Sequence, residues 1–188
     1  MTVATPLMTT EQLLAMPDDG KERWLINGEL REAGMTRRSM GHSWIESRLA
    51  QKLWNWCDSQ PPPRGVVLSG EAGVRLKKDP DTTVGVDVAY VSGEVVAANP
   101  ADDPYVDGIP ILAVEILSPS DKHEVVAEKI RGYLEAGVKR IWIADPEFRT
   151  ITVHRPDAEP QLFNVNEALE NDPVLPGLSI PLKEIFNR

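Results

Sequence analysis

The segment Ile111-Leu-Ala-Val-Glu-Ile-Leu117 limits the fold of this chain more than any other part of the sequence. Every residue in it except Glu115 is apolar, so it lacks the polar alternation of a half-exposed strand. A short continuous apolar run of this kind is expected for a strand that is covered on both faces. The segment therefore predicts a central strand of a β-sheet that lies between layers of helices.

Glu115 is costly inside such a strand, because a lone ionised carboxylate cannot be buried cheaply. Its pKa must rise, or its carboxylate must reach solvent at a cleft or meet a cation. The strand pattern over residues 86–91 contains a second acid, Asp87. One acid of this kind can be a structural ion, but two in one sheet favour a functional site. Carboxylate oxygens suit magnesium or manganese, so Asp87 and Glu115 are our candidate metal ligands.

The remaining elements follow in an irregular order. Sequence patterns predict helices over residues 9–16, 41–57 and 124–136. Asn27-Gly28, between two short strand-like runs, predicts a β-hairpin, because both turn positions need positive φ. Further strands are predicted over residues 66–68, 72–76, 86–91, 109–117, 140–144 and 150–155. A polar loop is expected after residue 91, and the tail is expected to be a loop with a last helical turn over residues 182–186.

Strands and helices do not alternate regularly along the chain, as they would in a doubly wound sheet. This order favours an α/β protein of the α+β type, with a central mixed β-sheet flanked by helices. Neither a repeat nor a long linker divides the sequence, so we expect one domain over residues 1–188.

A lysine on the third predicted helix is the next candidate for the site. Val126, Lys129, Ile130 and Tyr133 share one side of that helix. A lysine beside an apolar stripe can extend its ammonium group to water, and this is the simpler interpretation for Lys129 alone. The helix directly follows the Glu115 strand, however, and can fold back across it. This connection favours Lys129 as the third member of the site.

Three residues are secondary candidates, for contacts to the substrate or around the metal ligands. His42 lies in the first turn of its helix, where a lone histidine is more often a core or capping residue than a ligand. Glu71 lies between glycines, where a turn residue is the simpler interpretation. Tyr133 lies one helical turn after Lys129.

The charge of the chain is unfavourable for a nucleic-acid-binding protein. Its 188 residues carry a formal net charge of −9 at pH 7, whereas phosphate contacts normally need a basic surface. Positive charge can still be concentrated locally. The first half of the chain contains Arg37, Arg38, Arg48, Arg64, Arg75, Lys77 and Lys78. For most of these residues a solvated surface is the simpler interpretation.

The sequence also indicates the cellular compartment. No apolar run approaches the ~20 residues that span a bilayer, and residues 1–8 lack the pattern of a signal peptide. The single cysteine, Cys57, excludes an internal disulfide and a cysteine-based zinc site. We therefore expect a cytoplasmic protein that does not interact with membranes.

Several blocks of the sequence resemble one known family. These blocks are Val114-Glu-Ile-Leu-Ser-Pro-Ser-Asp121, Lys129 with Tyr133, Ala136-Gly-Val138, Ile141-Trp-Ile-Ala-Asp-Pro146, Thr10-Glu-Gln-Leu-Leu14, Asn27-Gly-Glu-Leu30, His42, Gly70-Glu-Ala-Gly73, Arg75-Leu76, Leu175-Pro-Gly-Leu178 and Ile185-Phe186. Together they resemble the Uma-two family of restriction endonuclease-like proteins over nearly the whole chain. The first block and the Gly137-Val138 to Trp142 block are the most specific when taken together.

The resemblance implies the core of the PD-(D/E)XK nuclease superfamily, a mixed sheet between helices. In that superfamily an aspartate and a glutamate on neighbouring strands hold a divalent metal, and a lysine serves the attacking water. By position, Asp87 is the first acid and Glu115 is the second. Val86 stands where the pattern has proline, and Leu117 stands where it has lysine. The Uma-two family resembles those members of the superfamily whose lysine has moved from the strand to the following helix. In this sequence Lys129 is then the candidate for that lysine.

The activity that the resemblance implies is magnesium- or manganese-dependent hydrolysis of phosphodiester bonds in a nucleic acid, with DNA preferred over RNA as the expected substrate. A homodimer would be unsurprising, because cleavage of both strands needs two sites. One alternative is a non-catalytic binding or structural module with the same fold, which the acidic charge and the two departures favour. Another is metal-dependent hydrolysis of a different phosphoester. A basic rim around the two acids would favour nucleic acid, and an acidic rim would not.

Overall fold

The computed structural model describes residues 6–34 and 38–187 of the chain. Its helices are α1 (Thr10–Leu14), α2 (Met40–Asp58), α3 (Gly93–Ala98), α4 (His123–Ala136) and α5 (Lys183–Phe186). Its strands are β1 (Lys21–Ile26), β2 (Glu29–Gly34), β3 (Val66–Lys77), β4 (Thr82–Val91), β5 (Val106–Asp107), β6 (Leu112–Ile116), β7 (Arg140–Asp145), β8 (Thr150–Arg155), β9 (Ala158–Asn164), β10 (Ala168–Glu170) and β11 (Ser179–Pro181). A large mixed sheet flanked by helices confirms the predicted fold class.

Nine strands form the large sheet, in the order β2-β1-β4-β6-β7-β8-β9, with β3 paired to β4 and to β5. β6 and β7 are parallel, and α4 connects them, because parallel neighbours need a crossover. β4 and β6 are antiparallel. The apolar strand β6 therefore lies inside the sheet, as its sequence predicts. The strands β10 and β11 form a separate two-stranded sheet.

Each face of the sheet supports its own apolar core. On one face, Leu49 and Leu53 of α2 belong to a buried cluster that includes Val114 of β6. On the other face, Tyr133 of α4 belongs to a buried cluster that includes Ala113. Neighbouring residues of β6 thus serve opposite cores, because side chains alternate along a strand. Coverage of both faces explains why this strand has an almost wholly apolar sequence.

Most of the elements that the sequence predicts are present. The predicted helices 41–57 and 124–136 correspond to α2 and α4, and Gly137 ends α4 with a φ of 95°. The Asn27-Gly28 hairpin is confirmed, with φ values of 49° and 77° at its two turn residues. The predicted runs 66–68 and 72–76 form one strand, β3, with a bulge between Ser69 and Ala72.

Other predictions of local structure were incomplete. The polar loop expected after residue 91 contains α3 and β5, and the helix expected over residues 9–16 is the shorter α1. The last helical turn is present as α5, but the tail before it also forms β10 and β11. β9 was missed because it is an edge strand, which pairs with β8 and with no other strand of the described residues, and all but one of its residues are exposed. Such a strand has no apolar periodicity in its sequence.

The longest helix, α2, has 19 residues and carries charged side chains along its length. Among the residues that the structure describes, no helix combines the length and the apolar composition that crossing a bilayer requires.

Replacement of Leu49 by alanine tests the core between α2 and the sheet. Leu49 is fully buried, so Leu49→Ala is expected to lower the free energy of unfolding by about 2–5 kcal/mol through lost burial and a residual cavity. Urea denaturation measures this change. Leu162→Ala is the matched control, because Leu162 is 58% exposed on β9, and its loss should stay within about 1 kcal/mol. Equal losses in the two variants would contradict the described packing.

Candidate active site

The strands β4 and β6 separate at the two acids that the sequence singles out. Their antiparallel pairs are Tyr90–Leu112, Ala89–Ala113 and Val88–Val114. One residue further along, the backbone N–H of Ile116 donates to Oδ2 of Asp87 at 2.7 Å. A side-chain carboxylate thus takes the place of a backbone partner on β4. This contact opens the sheet at Asp87 and Glu115, where both layers of helices can reach it.

The two carboxylate oxygens of Asp87 have different surroundings. Asp87 is only 4% exposed, and Oδ2 accepts the hydrogen bond from Ile116. Oδ1 has no hydrogen-bond partner among the described residues. Nε2 of His42 lies 3.4 Å from it, and Nη2 of Arg38 lies 3.8 Å from it. A buried polar atom without a partner costs about 1–3 kcal/mol, so Oδ1 is an acceptor available to a further ligand.

The carboxylate of Glu115 is held from the opposite face by α4. Nζ of Lys129 donates to Oε2 at 2.9 Å, and the Tyr133 hydroxyl donates to Oε1 at 2.5 Å. Lys129 also donates to the carbonyl of Gly85 on β4, at 3.4 Å. These contacts form because α4 follows β6 and folds back across it, which places the inner side of α4 over the opened strands.

Burial and neighbouring charges both affect the pKa values of Glu115 and Lys129. Burial, followed by the like charge of Asp87, raises the pKa of Glu115, although Lys129 and Tyr133 oppose that rise. Burial, the largest single effect, lowers the pKa of Lys129, but the charge and hydrogen bond of Glu115, together with the charges of Glu22 and Asp87, outweigh it and raise that pKa. The two directions conflict, because the first favours a neutral acid and the second requires an ionised one. We take the ion pair as the form at neutral pH, since two donors contact the carboxylate.

The Tyr133 hydroxyl is a donor that does not change with pH in the physiological range. Burial, followed by the charge of Glu115, raises the pKa of Tyr133 well above its ordinary value. The hydroxyl therefore stays protonated and can only donate to the carboxylate. Its contact fixes the rotation of Glu115 within the opened sheet.

A cavity of about 70 Å³ lies between the opened strands and α4. Its lining includes Glu22, Trp24, Arg38, Asp87, Glu115, Asp121 and Lys129. One buried water needs about 10–15 Å³ of such space, so the cavity has room for an ion with several waters. A larger cavity of about 600 Å³ lies around Arg140 and Asp172. Size does not decide between them, because only the smaller one contains the two acids and the lysine.

The structure brings together five of the six residues that the sequence singles out. Asp87, Glu115 and Lys129 line one cavity, Tyr133 contacts Glu115, and His42 lies beside Asp87. Each stays a predicted site residue whose role has to be tested.

Glu71, the sixth residue, does not line this cavity. It lies in the bulge of β3 with a φ of 59°, and its carboxylate contacts the guanidinium of Arg38. The turn interpretation from the sequence was therefore wrong, because Glu71 lies inside β3, at its bulge. Its contact with Arg38 connects it to the neighbourhood of Asp87.

Sequence reasoning missed Glu46 as a neighbour of the site. One Glu46 oxygen lies 3.8 Å from Nδ1 of His42, and the other accepts the N–H of Gly70 in the β3 bulge at 2.8 Å. His42 and Glu46 are four residues apart on α2, which places them on one face of the helix. That spacing was the available signal, but it carries little weight until the helix is placed next to Asp87.

Comparison of the sequence with models of known protein families gives one match. Residues 10–183 match the family model described as "Uma2: Putative restriction endonuclease". No curated protein matches the sequence.

The fold also resembles a solved structure, the crystal structure of "a putative nuclease belonging to DUF820 from Anabaena variabilis ATCC 29413". The TM-score is 0.78, and the match covers 95% of this chain and 97% of that chain at 20% sequence identity. At this level of identity the likeness shows a shared fold.

Removal of the Lys129 charge tests the buried ion pair. In Lys129→Met, Glu115 loses its cationic partner, so the free energy of unfolding is expected to fall by about 3 kcal/mol near neutral pH. Without Lys129 the pKa of Glu115 rises further in the folded protein, and the folded state binds the proton more tightly than the unfolded state. The loss should therefore shrink as the pH falls toward the ordinary glutamate pKa of about 4.3.

Urea denaturation of wild type and variant at several pH values measures this difference. Arg131→Met is the matched control, because Arg131 lies on the same helix and is exposed. It should change stability by less than about 0.5 kcal/mol. A Lys129→Met deficit that does not depend on pH would contradict the ion pair.

Proposed function

The chain belongs to the Uma2 family, as its sequence blocks indicate, and we propose that it is a magnesium-dependent endonuclease that hydrolyses phosphodiester bonds of DNA. Asp87 and Glu115 are the proposed metal ligands, and Lys129 is the proposed third catalytic residue. The family and the shared fold support a nuclease-like protein. The observation that carries the finer proposal is the opening between β4 and β6, where the buried carboxylate of Asp87, the partly buried carboxylate of Glu115 and an ammonium group line one cavity.

The two acids have the capacity to hold a magnesium ion. Oδ1 of Asp87 is buried and has no hydrogen-bond partner among the described residues. Each oxygen of Glu115 accepts one hydrogen bond, and a carboxylate offers about four lone-pair sites in all. Magnesium commonly takes one or two protein carboxylates and keeps several waters, which suits the size of this cavity. Manganese has similar preferences for oxygen ligands and is the second candidate.

A divalent ion bound there would act as a Lewis acid toward a phosphate oxygen and lower the pKa of a bound water. The protein side chains supply the remaining functions. Lys129 can donate to the attacking water or to negative charge that develops on the phosphate. Tyr133 fixes the orientation of Glu115, and the Ile116 N–H fixes that of Asp87. A set of groups held before substrate arrives does not have to be reorganised during the reaction.

Charge around the cavity favours a competing interpretation. Its lining contains the acids Glu22, Asp87, Glu115 and Asp121 and the basic residues Arg38 and Lys129. This acidic excess is unfavourable for nucleic acid in the absence of bound cations. A non-catalytic module with the same fold is therefore the second candidate, and a different phosphoester substrate is also compatible with the acids. A divalent ion at the acids would offset two negative charges and favour the nuclease.

Most of the basic residues of the first half make contacts within the protein. Arg75 is 8% exposed and pairs with Asp107 at 2.7 Å, and Lys78 pairs with the same aspartate. Arg64 donates to a backbone carbonyl. Arg37 lies outside the described residues. Among the described basic residues of the first half, Arg38 is the one that lies near Asp87, and it is our candidate for a phosphate contact.

Cleavage of both strands of a duplex requires two such sites. We therefore extend the proposal to a homodimer, which the molar mass of the protein in solution tests. A monomeric mass would restrict the proposal to single-strand cleavage.

Loss of DNA cleavage in three variants tests the catalytic assignment. Asp87→Asn, Glu115→Gln and Lys129→Met are expected to lower magnesium-dependent cleavage of plasmid DNA by at least about 10²-fold, because each removes a group that acts on the reacting phosphate. Glu128→Gln is the matched control, since Glu128 precedes Lys129 on α4 and pairs with Arg31 away from the cavity. Full cleavage by a correctly folded Asp87→Asn or Lys129→Met protein would exclude the assignment.

Calorimetric titration with magnesium tests the metal ligands without any substrate. Wild type and Glu128→Gln are expected to bind the ion, whereas Glu115→Ala is expected to show no measurable binding, because it removes one of two protein ligands. Titration with manganese repeats the test. Identical weak binding by wild type and Glu115→Ala would make both acids structural, and the non-catalytic module would then be the better description.

A further inference from the structure

We infer that the indole N–H of Trp24 donates a hydrogen bond to a phosphate oxygen of the substrate, which makes Trp24 a substrate-contacting residue. The inference rests on the proposed function, because it names a further contact of the same site. Trp24 lies on β1 and lines the cavity that also contains Asp87, Glu115 and Lys129.

The indole nitrogen of Trp24 is a buried donor without an acceptor. Trp24 is only 5% exposed, and its Nε1 has no hydrogen-bond partner among the described residues. Two other tryptophans use the same group differently. Nε1 of Trp44 donates to the Ile185 carbonyl at 3.0 Å. Nε1 of Trp56 donates to the Pro176 carbonyl at 2.9 Å. Buried indole N–H groups normally have such partners, so we expect a ligand to supply the acceptor for Trp24.

The position of Trp24 places this donor in the neighbourhood of Lys129. The ring belongs to the buried apolar cluster on the α4 face of the sheet, and Nζ of Lys129 lies 6.0 Å from the ring centroid. Lys129 already donates to the Glu115 carboxylate and to the Gly85 carbonyl. Trp24 therefore offers an N–H that no group of the described protein uses.

The cavity limits the kind of acceptor that can reach Trp24. Its volume of about 70 Å³ is well below the roughly 300–1,000 Å³ of a pocket that encloses a whole small molecule. It therefore admits a small group and leaves the rest of a ligand outside. An ammonium group close by favours negative charge on that group. A phosphate oxygen meets both conditions, whereas a water molecule would satisfy the N–H without the charge.

An uncharged donor has an advantage in a cavity that is lined by an excess of acidic residues. A cationic side chain there pairs with a carboxylate, as Lys129 does with Glu115. The indole of Trp24 is a donor only and carries no charge, so it stays available for the substrate. Its N–H would orient the phosphate and stabilise negative charge on one of its oxygens.

Nuclear magnetic resonance of the full chain tests this contact directly. Protein labelled with ¹⁵N at its five tryptophans gives one indole signal for each, and Trp24→Phe identifies the signal of Trp24. Addition of dimethyl phosphate, a phosphodiester, together with Mg²⁺ is expected to move this signal downfield, because the proton enters a hydrogen bond to an anionic oxygen. The signals of Trp44 and Trp56 should stay in place, since their N–H groups already have acceptors. A Trp24 signal that does not move would overturn the inference.

Cleavage kinetics separate this inference from the proposed function. Trp24→Phe keeps an aromatic ring and removes the N–H, so it is expected to lower kcat/KM for magnesium-dependent DNA cleavage at least about ten-fold. Trp56→Phe is the matched control, because Trp56 is likewise buried but lies in the core on the other face of the sheet, and it should keep the wild-type kcat/KM. Cleavage that Asp87→Asn abolishes and Trp24→Phe leaves unchanged would overturn the inference and retain the proposed function.

Urea denaturation distinguishes a substrate contact from a structural role. A purely structural role of Trp24 would lower the free energy of unfolding of Trp24→Phe and leave kcat/KM of the folded variant unchanged, which would also overturn the inference.

If the wild type does not cleave DNA, the proposed function fails and the titration decides, because a downfield shift of the Trp24 signal would still support a phosphate contact. If Trp24→Phe does not fold, replacement of the other four tryptophans one at a time identifies the Trp24 signal by elimination, and the wild-type titration decides the question.

Discussion

The hydrogen bond from the Ile116 N–H to Asp87 is the interaction on which the site depends. It ends the ladder between β4 and β6 and puts a carboxylate where a backbone carbonyl would otherwise be. A sheet covered on both faces normally gives no access to its centre. This opening creates an interior position that α2 reaches from one face and α4 from the other. The fold outside the opening is an ordinary mixed sheet between two apolar cores.

The two faces of the opening are completed in different ways. On the α4 face, Lys129 and Tyr133 satisfy the Glu115 carboxylate, so the protein itself supplies the charge and the hydrogen bonds that burial requires. On the α2 face, Oδ1 of Asp87 and the His42 ring have no hydrogen-bond partners among the described residues. Buried polar groups in proteins are nearly always paired. This asymmetry is the physical reason for proposing a bound cation at Asp87, and it does not depend on the family.

Local sequence patterns predicted those parts of the fold whose stability comes from burial. α2, α4 and β6 were located because their apolar residues repeat at the period of a helix or fill a covered strand. The edge strand β9, together with α3 and β5 in the loop after β4, lacked such patterns. An exposed edge strand is fixed by pairing to its neighbour, and β8 supplies that pairing for β9. Its existence therefore depends on the rest of the sheet.

The sequence by itself determined that Asp87 and Glu115 occupy apolar strands, and that Lys129 and Tyr133 lie on one side of the following helix. These features are local, because the cost of burying a charge and the helical period can be evaluated within a few residues. Only the tertiary structure decided that His42 and Glu46 face Asp87. The distance between α2 and β4 depends on how the core between them packs, and residues 42 and 87 are distant in the chain. Side-chain spacing along one helix contains no information about that packing.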